Sequence, residues 1–366
     1  MAGRPVMIMA GGTGGHVFPA LAVAKVLRAR GVPVVWLGSA GGMEARLVPA
    51  QGFELEAVDI KGLRGKGLWS WLAAPLRLLA AVDQARAIVR RVRPGVALGA
   101  GGFASGPGGL AARLARIPLL VHEQNAVAGL TNRCLARFAT QVFEAFPHSF
   151  GSGVRATCIG NPVRADIAAL APPEQRFAAH QGRIRLLVLG GSQGAQRLNL
   201  LLPQALARIA PERRPLVRHQ AGERGLAATR EAYAAASVEA EVSAFIEDMA
   251  KAYEWPDLAV CRAGALTIAE LQAAGLAAVL VPFPAAVDDH QTRNAEVMVR
   301  LGAARLVQER DLTPEALGRL IEELAGDRAR LLDMARAARA AAITDAAERL
   351  ADFCIAAGAP AAGAPA

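Results

Sequence analysis

Short, largely apolar runs recur along the chain, each ending in a turn and followed by apolar residues at helical spacing. In the first half "PVMIMA", "PVVWLG", "VALGA", "PLLVHE" and "QVFEAF" read as strands, and in the second "IRLLVLGG", "LVRHQAG", "EVSAFI", "LAVCRAG" and "AAVLVPF" do the same. Runs without a polar face predict strands covered on both sides, and their alternation with helical stretches predicts parallel sheets between helices. The pattern also repeats. "VMIMAGGTGGH…LAVAKVL" and "LLVLGGSQGAQRLNLLLPQAL" are both strand, Gly-rich turn and helix, and each can open a Rossmann-like domain. The turn signal Gly160-Asn161-Pro162 within "CIGNPVRADI" marks the boundary. The expected organisation is α/β: a domain over 1–162, a second over 163–355 whose last helix can return to the first, and a low-complexity, disordered tail over 356–366. The two doubly wound domains are expected to face each other across a ligand cleft.

Length and composition agree with this picture. A chain of 366 residues, 53% hydrophobic and 20% charged, is long enough for two cores. Its net charge of +9 predicts an anionic partner: nucleic acid, anionic lipid or a phosphorylated substrate. Only 5% of residues are aromatic, which counts against base-stacking platforms. The four cysteines are scattered without a CxxC pair and read as reduced thiols, implying neither disulfide nor zinc. The apolar stretch Val6–Ala10 runs straight into glycines, so no secretory signal is expected, and no run reaches the roughly 18 apolar residues of a membrane span.

Three glycine turns carry the candidate chemistry: "AGGTGGH", "GAGGFASGPGG" (Gly99–Gly109) and "GGSQGA". A dinucleotide fingerprint fails at the first, because Val17 holds the third glycine position and the next strand ends in Gly38-Ser39 without a ribose-binding carboxylate. A P-loop fails too, since no Gly-Lys-Ser/Thr follows either strand. Each turn is either a tight strand-to-helix connection or an anion cradle of backbone N–H groups at a helix N-terminus. Three in one chain suit phosphates with polar sugars.

Eight blocks in order make the chain similar to a known family: "AGGTGGHVFPALAVA", "GLRGKG", "GGFASGP", "HEQNAVAGLTNR", "GNPVR", "GGSQGA", "CRAGALTIAEL" and "PFPAAVDDHQTRNA". From about residue 5 to 350 it resembles the MurG family of peripheral-membrane N-acetylglucosaminyltransferases. One departure is Leu276-Ala277, where the family pattern leads one to expect proline; this should touch a loop and not the chemistry. The resemblance implies a GT-B fold and inverting transfer of GlcNAc from UDP-GlcNAc to the MurNAc 4-hydroxyl of lipid I, without metal or other cofactor. It also implies a seat on the cytoplasmic face of the bacterial inner membrane. A relative using a diacylglycerol or small-molecule acceptor is the competing enzyme, and a polyanion-binding module the non-enzymatic reading; "HEQNAVAG" and "GGFASGP" tell against the former.

Residue tasks follow. Ser192 and the backbone of Gly190–Gly194 suit a diphosphate, although Ser192 also reads as an N-cap. Arg164 either meets the diphosphate or stabilises domain closure. Ala265, Leu266, Thr267, Ile268 and Ala269 begin a helix, and Glu270 one turn on either closes a capping box or takes both ribose hydroxyls. The resemblance implies the ribose role, and implies that the Ile246 backbone pairs with the uracil edge. Gln291 and Asn294 share a helical face and suit sugar hydroxyls, with His290 beside them. Asn125 is expected to reach the transferred sugar together with Thr13, Gly14 and Gly15. The catalytic base is His16 or else Glu123, next to His122. Finally, Lys61–Arg93 holds eight Lys/Arg and one Asp, seven of the nine net charges. Lys61, Arg64 and Lys66 with Trp69, Trp71, Leu72, Leu76 and Leu79 predict an anionic-membrane contact, which accounts for the charge without nucleic acid. The other reading of this stretch is an amphipathic core helix.

Overall fold

The computed structural model describes residues 3–60, 74–180, 182–190, 195–286 and 289–359. The chain divides into two compact units, one of Met1–Pro162 with Thr344–Ala366 and one of Val163–Ile343.

The first unit is built on seven parallel strands: β1 (Val6–Met9), β2 (Val34–Ser39), β3 (Glu54–Val58), β4 (Val96–Gly99), β5 (Leu119–Glu123), β6 (Gln141–Glu144) and β7 (Thr157–Cys158). Their order is β3-β2-β1-β4-β5-β6-β7, so the winding reverses between β1 and β4. Successive side chains of a strand point to opposite faces, and β1 buries both. Val6 and Ile8 pack with Val17, Leu21 and Leu27 of the helix Gly14–Ala29, whereas Met7 and Met9 pack with Ala85 and Val89 of the helix Ala74–Val92.

The helix Ala346–Gly358 belongs to this first unit. Ala347, Leu350, Ala351 and Cys354, at helical spacing, join the Val6–Ile8 layer, and the Phe353 ring lies 4.6 Å from that of Phe143. The last helix thus lies with the first unit, the alternative open from the sequence, so the second unit ends at Ile343 and not at 355; residues 356–358 are the helix's last residues and not part of a disordered tail.

The second unit holds β8 (Arg185–Leu189), β9 (Leu216–Gln220), β10 (Glu241–Ser243), β11 (Leu258–Cys261), β12 (Ala277–Leu280) and β13 (Ala304–Leu306). All are parallel, in the order β10-β9-β8-β11-β12-β13, with the reversal between β8 and β11. The helix Ala265–Ala274 is fixed at its C-terminus by the buried Arg176. Its guanidinium donates to Ala274 O and Gly275 O, and also to Tyr253 O at 2.9 Å. A cation suits the negative end of a helix, and Gly275 supplies the left-handed φ of +60° that closes it. Leu276 and Ala277 are fully buried, with Ala277 opening β12, so that departure falls at the strand's N-terminal end.

Candidate active site

Ligands of doubly wound sheets bind beyond the C-terminal ends of the strands where the winding reverses. In the first unit that place is formed by the loops after β1 and β4. Gly12, Gly101 and Gly102 have φ of +89°, +89° and +86°. A side chain at Gly102 would run into the backbone of Gly11, and a Cβ at Gly101 would stand 2.6 Å from Cδ2 of His16. Glycine is therefore required where these two loops touch. Ser105 Oγ lies 2.6 Å from Met9 O and 2.7 Å from Gly101 O and binds the loops together.

His16 is the third residue of the helix Gly14–Ala29, half-buried, with Nδ1 3.3 Å from Thr13 Oγ1. Thr13 is the N-cap, exposed, and makes no side-chain capping bond. The first-turn N–H groups of a helix lack intrahelical partners, so Gly14 and Gly15 bring donors and no side-chain bulk. Below this loop sits Glu44, fully buried. Gly12 N–H donates to its Oε2 at 3.0 Å, and Ser39 donates to Oε1 from N–H at 2.9 Å and from Oγ at 2.6 Å. Burial alone would raise its pKa; hydrogen bonds from Ser39, from its own backbone and from Gly12 outweigh that and hold it below the ordinary carboxylate value. Sequence reasoning missed Glu44. Its signal was the cluster Gly38, Gly41 and Gly42 just before it, which marks close packing.

The end of β5 is a hydrogen-bonded knot. Glu123 is 2% exposed and accepts four bonds: Asn125 N–H (2.9 Å) and Nδ2 (3.1 Å) on Oε1, Gly129 N–H (3.1 Å) and Asn132 Nδ2 (2.8 Å) on Oε2. Glu123, the second expected base, is thereby bonded to the loop that carries Asn125. His122 is buried, which lowers its pKa and keeps it neutral; its Nε2 donates to Gly160 O at 2.9 Å. Gln124 Nε2 donates to Ala100 O at 2.9 Å and so ties this knot to the β4 loop.

In the second unit Glu270 is buried within the helix Ala265–Ala274. Arg164 Nη2 donates to its Oε1 at 2.9 Å and Tyr253 Oη to its Oε2 at 3.0 Å. Burial raises the Glu270 pKa against the opposing pull of Arg164 and Tyr253. The Arg164 side chain remains 37% exposed. Leu266 and Thr267 are half-buried in the first turn, Ala265 and Ile268 buried, and Ala269 is buried beside Glu270. Ile246 lies half-buried in the loop after β10 and makes no backbone hydrogen bond among the described residues. Gln291 Oε1 accepts from Phe283 N–H at 3.0 Å. Asn294, on the same helix His290–Arg300, is fully buried and its Nδ2 donates to Ala263 O at 3.2 Å. It holds the turn before the helix Ala265–Ala274 from inside. Ser192 lies outside the described residues, and among those described no cluster of three or more His, Cys, Asp or Glu could hold a metal.

On the helix Ala74–Val92 Leu76 is 72% and Leu79 62% exposed, while Ala81, Ala85 and Val89 are buried. Lys61, Arg64, Lys66, Trp69, Trp71 and Leu72 lie outside the described residues. No helix among the described residues is long and apolar enough to cross a membrane.

Comparison with known proteins places this geometry. Residues 6–144 match the glycosyltransferase family 28 N-terminal domain and residues 185–350 its C-terminal domain. A UDP-N-acetylglucosamine--N-acetylmuramyl-(pentapeptide) pyrophosphoryl-undecaprenol N-acetylglucosamine transferase of Chromohalobacter salexigens is 58% identical over 96% of this chain and 96% of its own. The protein of the same description from Marinobacter nauticus is 55% identical over 96% and 97%. The crystal structure of Acinetobacter baumannii MurG superposes with a TM-score of 0.85 at 42% identity, covering 96% of this chain and 99% of that one. With two parallel-sheet α/β units of the GT-B type and full-length matches at this level, the chain belongs to glycosyltransferase family 28, among the MurG transferases.

Proposed function

We propose that this protein transfers N-acetylglucosamine from UDP-GlcNAc to the MurNAc 4-hydroxyl of lipid I (undecaprenyl-pyrophosphoryl-MurNAc-pentapeptide), giving the β-1,4 linkage of lipid II with inversion. The observation that carries the reading is the 58% identity, over nearly the whole length, to a transferase described by that donor and acceptor. The acceptor hydroxyl oxygen bonds to the sugar's anomeric carbon on the face opposite UDP. Its proton passes to His16, and the breaking C–O pair leaves with UDP. His16 Nδ1 lies 3.3 Å from Thr13 Oγ1, and the tautomer that carries its proton on Nδ1 presents Nε2 as the basic nitrogen. Glu123, already accepting four hydrogen bonds, holds Asn125 toward the transferred sugar.

Glu270 takes the ribose hydroxyls on the lone pairs left beside Tyr253 and Arg164. Arg164, the more exposed member of that ion pair, turns to the diphosphate together with the Leu266 and Thr267 amides and the Ser192 loop. The Ile246 backbone reads uracil, and the Gln291 amide meets GlcNAc hydroxyls. The exposed Leu76 and Leu79 support docking of Lys61–Arg93 on an anionic membrane surface, on the cytoplasmic face where UDP-GlcNAc is available.

Transfer of labelled GlcNAc from UDP-GlcNAc to a water-soluble lipid I analogue tests the reading; no transfer would overturn it. In the same assay His16→Ala should lower kcat by roughly 10²–10⁴-fold, the usual worth of a general base, with KM for UDP-GlcNAc nearly unchanged. Retention of kcat from about pH 6 to 9 would move the base elsewhere.

A further inference from the structure

Under the first glycine loop lies a carboxylate that the chemistry above does not use. Glu44 opens the helix Glu44–Ala50, and three segments converge on it. Gly12 donates from the β1 loop, Ser39 donates twice from the end of β2, and Gly11, Gly38 and Gly42 press against its side chain. At Gly38 an added Cβ would come within 2.6 Å of the Glu44 Cγ; at Gly11 and Gly42 it would overlap the carboxylate itself. Among the described residues no Lys, Arg or His forms an ion pair with Glu44. Among those residues its charge is met by N–H and O–H groups, one of which belongs to a residue with φ of +89°.

We propose that Glu44 is a positioning residue for the transfer reaction: by holding the Gly11–Gly12 bend from below, it sets where Thr13 and His16 stand. The proposal rests on the reading of His16 as the base. Gly12 is the last residue before the N-cap Thr13, so the direction of its N–H fixes the path into the helix Gly14–Ala29. A loop made of Gly11, Gly12, Gly14 and Gly15 has no side chains of its own to hold it, and glycine backbone is the most freely moving of all. Anchoring from outside is what such a loop lacks, and a buried carboxylate with charge-assisted bonds supplies it. Displacement of a reacting group by about 1 Å costs on the order of 10²-fold in rate.

Glu44→Gln keeps the shape and, with its carbonyl toward Ser39, turns an NH2 group against the Gly12 N–H. Donor then faces donor and the bend must shift. Expected are a kcat lowered by roughly 10- to 100-fold, a KM for UDP-GlcNAc within about twofold, and a thermal midpoint lowered by only a few degrees. Spectra of the protein labelled at its histidines should show the His16 ring resonances and their titration midpoint displaced while those of His148 stay in place. Gly42→Ala, which pushes the carboxylate without changing any polar group, should displace His16 in the same way. Gly41→Ala, whose Cβ meets nothing within 4 Å, should not. A folded Glu44→Gln protein with His16 unmoved, or activity falling only in step with the folded fraction, would overturn the proposal. Full kcat in His16→Ala would instead overturn the assignment of His16, and the displacement of its resonances would still decide whether Glu44 positions it.

Discussion

Replacing Glu123 by glutamine separates two roles that its neighbours otherwise blur. Four N–H donors converge on its carboxylate, two on each oxygen. A glutamine keeps one acceptor oxygen, and its NH2 must then face two of those donors. Two hydrogen bonds to a charged group are lost, each worth about 1.5–3 kcal/mol, so the raw cost is about 3–6 kcal/mol. Relaxation of the half-exposed Asn125 side brings the expectation to about 3 kcal/mol, near the low end of that range. For a unit of this size about 1 kcal/mol moves the unfolding midpoint by roughly 2–4 °C, so a fall of roughly 6–12 °C is expected. Thermal unfolding and hydrogen exchange of the Asn125 and Gly129 amides measure the loop; initial-rate kinetics measure the chemistry. A positioning role predicts faster exchange, a lower midpoint and a raised KM, with kcat reduced only moderately. A wild-type midpoint and unchanged exchange beside an abolished kcat would refute this account and make Glu123 the base.

Other substitutions probe the remaining parts. Glu270→Ala should raise KM for UDP-GlcNAc much more than it lowers kcat, because a ribose contact persists from ground state to transition state; a collapsed kcat with normal KM would place Glu270 in the chemistry. His219 bonds to Asn199 and Tyr233, and burial pushes its pKa down to about 3. The unfolded chain binds a proton near pH 6.5 that the folded one refuses, so the His219 contribution is complete above that pH. It is lost as pH falls toward 3, at up to about 1.4 kcal/mol per pH unit, and urea unfolding of His219→Gln should show a flatter dependence over that window. Leu76→Ser with Leu79→Ser should weaken binding to anionic vesicles in a flotation assay while sparing transfer to a soluble acceptor; unchanged flotation would assign docking to another surface.

Ten of the strands were legible because each lies in a short run rich in apolar residues and closed by a turn. β3, β7 and β13, which were not, are all edge strands. β3 alternates Glu54 and Glu56 with Leu55 and buries only Val58, and β7 has only two residues. An edge strand has no need of the two-sided apolar pattern that reveals a central one. At the site, residues that repeat a family block could be named from sequence, but their partners could not. Arg164 and Glu270 are 106 positions apart, and Glu44 reaches Gly12 across 32; such meetings arise from the winding order of the sheets and leave no local periodicity. Asn294 was read as facing ligand because an amide three residues from Gln291 shares its helical face; its burial and its bond to Ala263 O had no signal in that spacing.

The return of the helix Ala346–Gly358 to the first unit has a consequence for how the protein is made. Leu350, Ala351 and Cys354 complete a layer whose other members, from Val6 to Ile159, leave the ribosome first. Between them come the roughly 180 residues of the second unit, which at 5–20 residues per second takes on the order of 10–35 s to synthesise. Throughout that interval the nascent first unit exposes the apolar groove that its last helix will fill, and it finishes folding only after its neighbour has been translated. A nonsense mutation near the 3′ end of the gene would therefore damage the amino-terminal half of the product, the half carrying His16, while leaving the second unit whole.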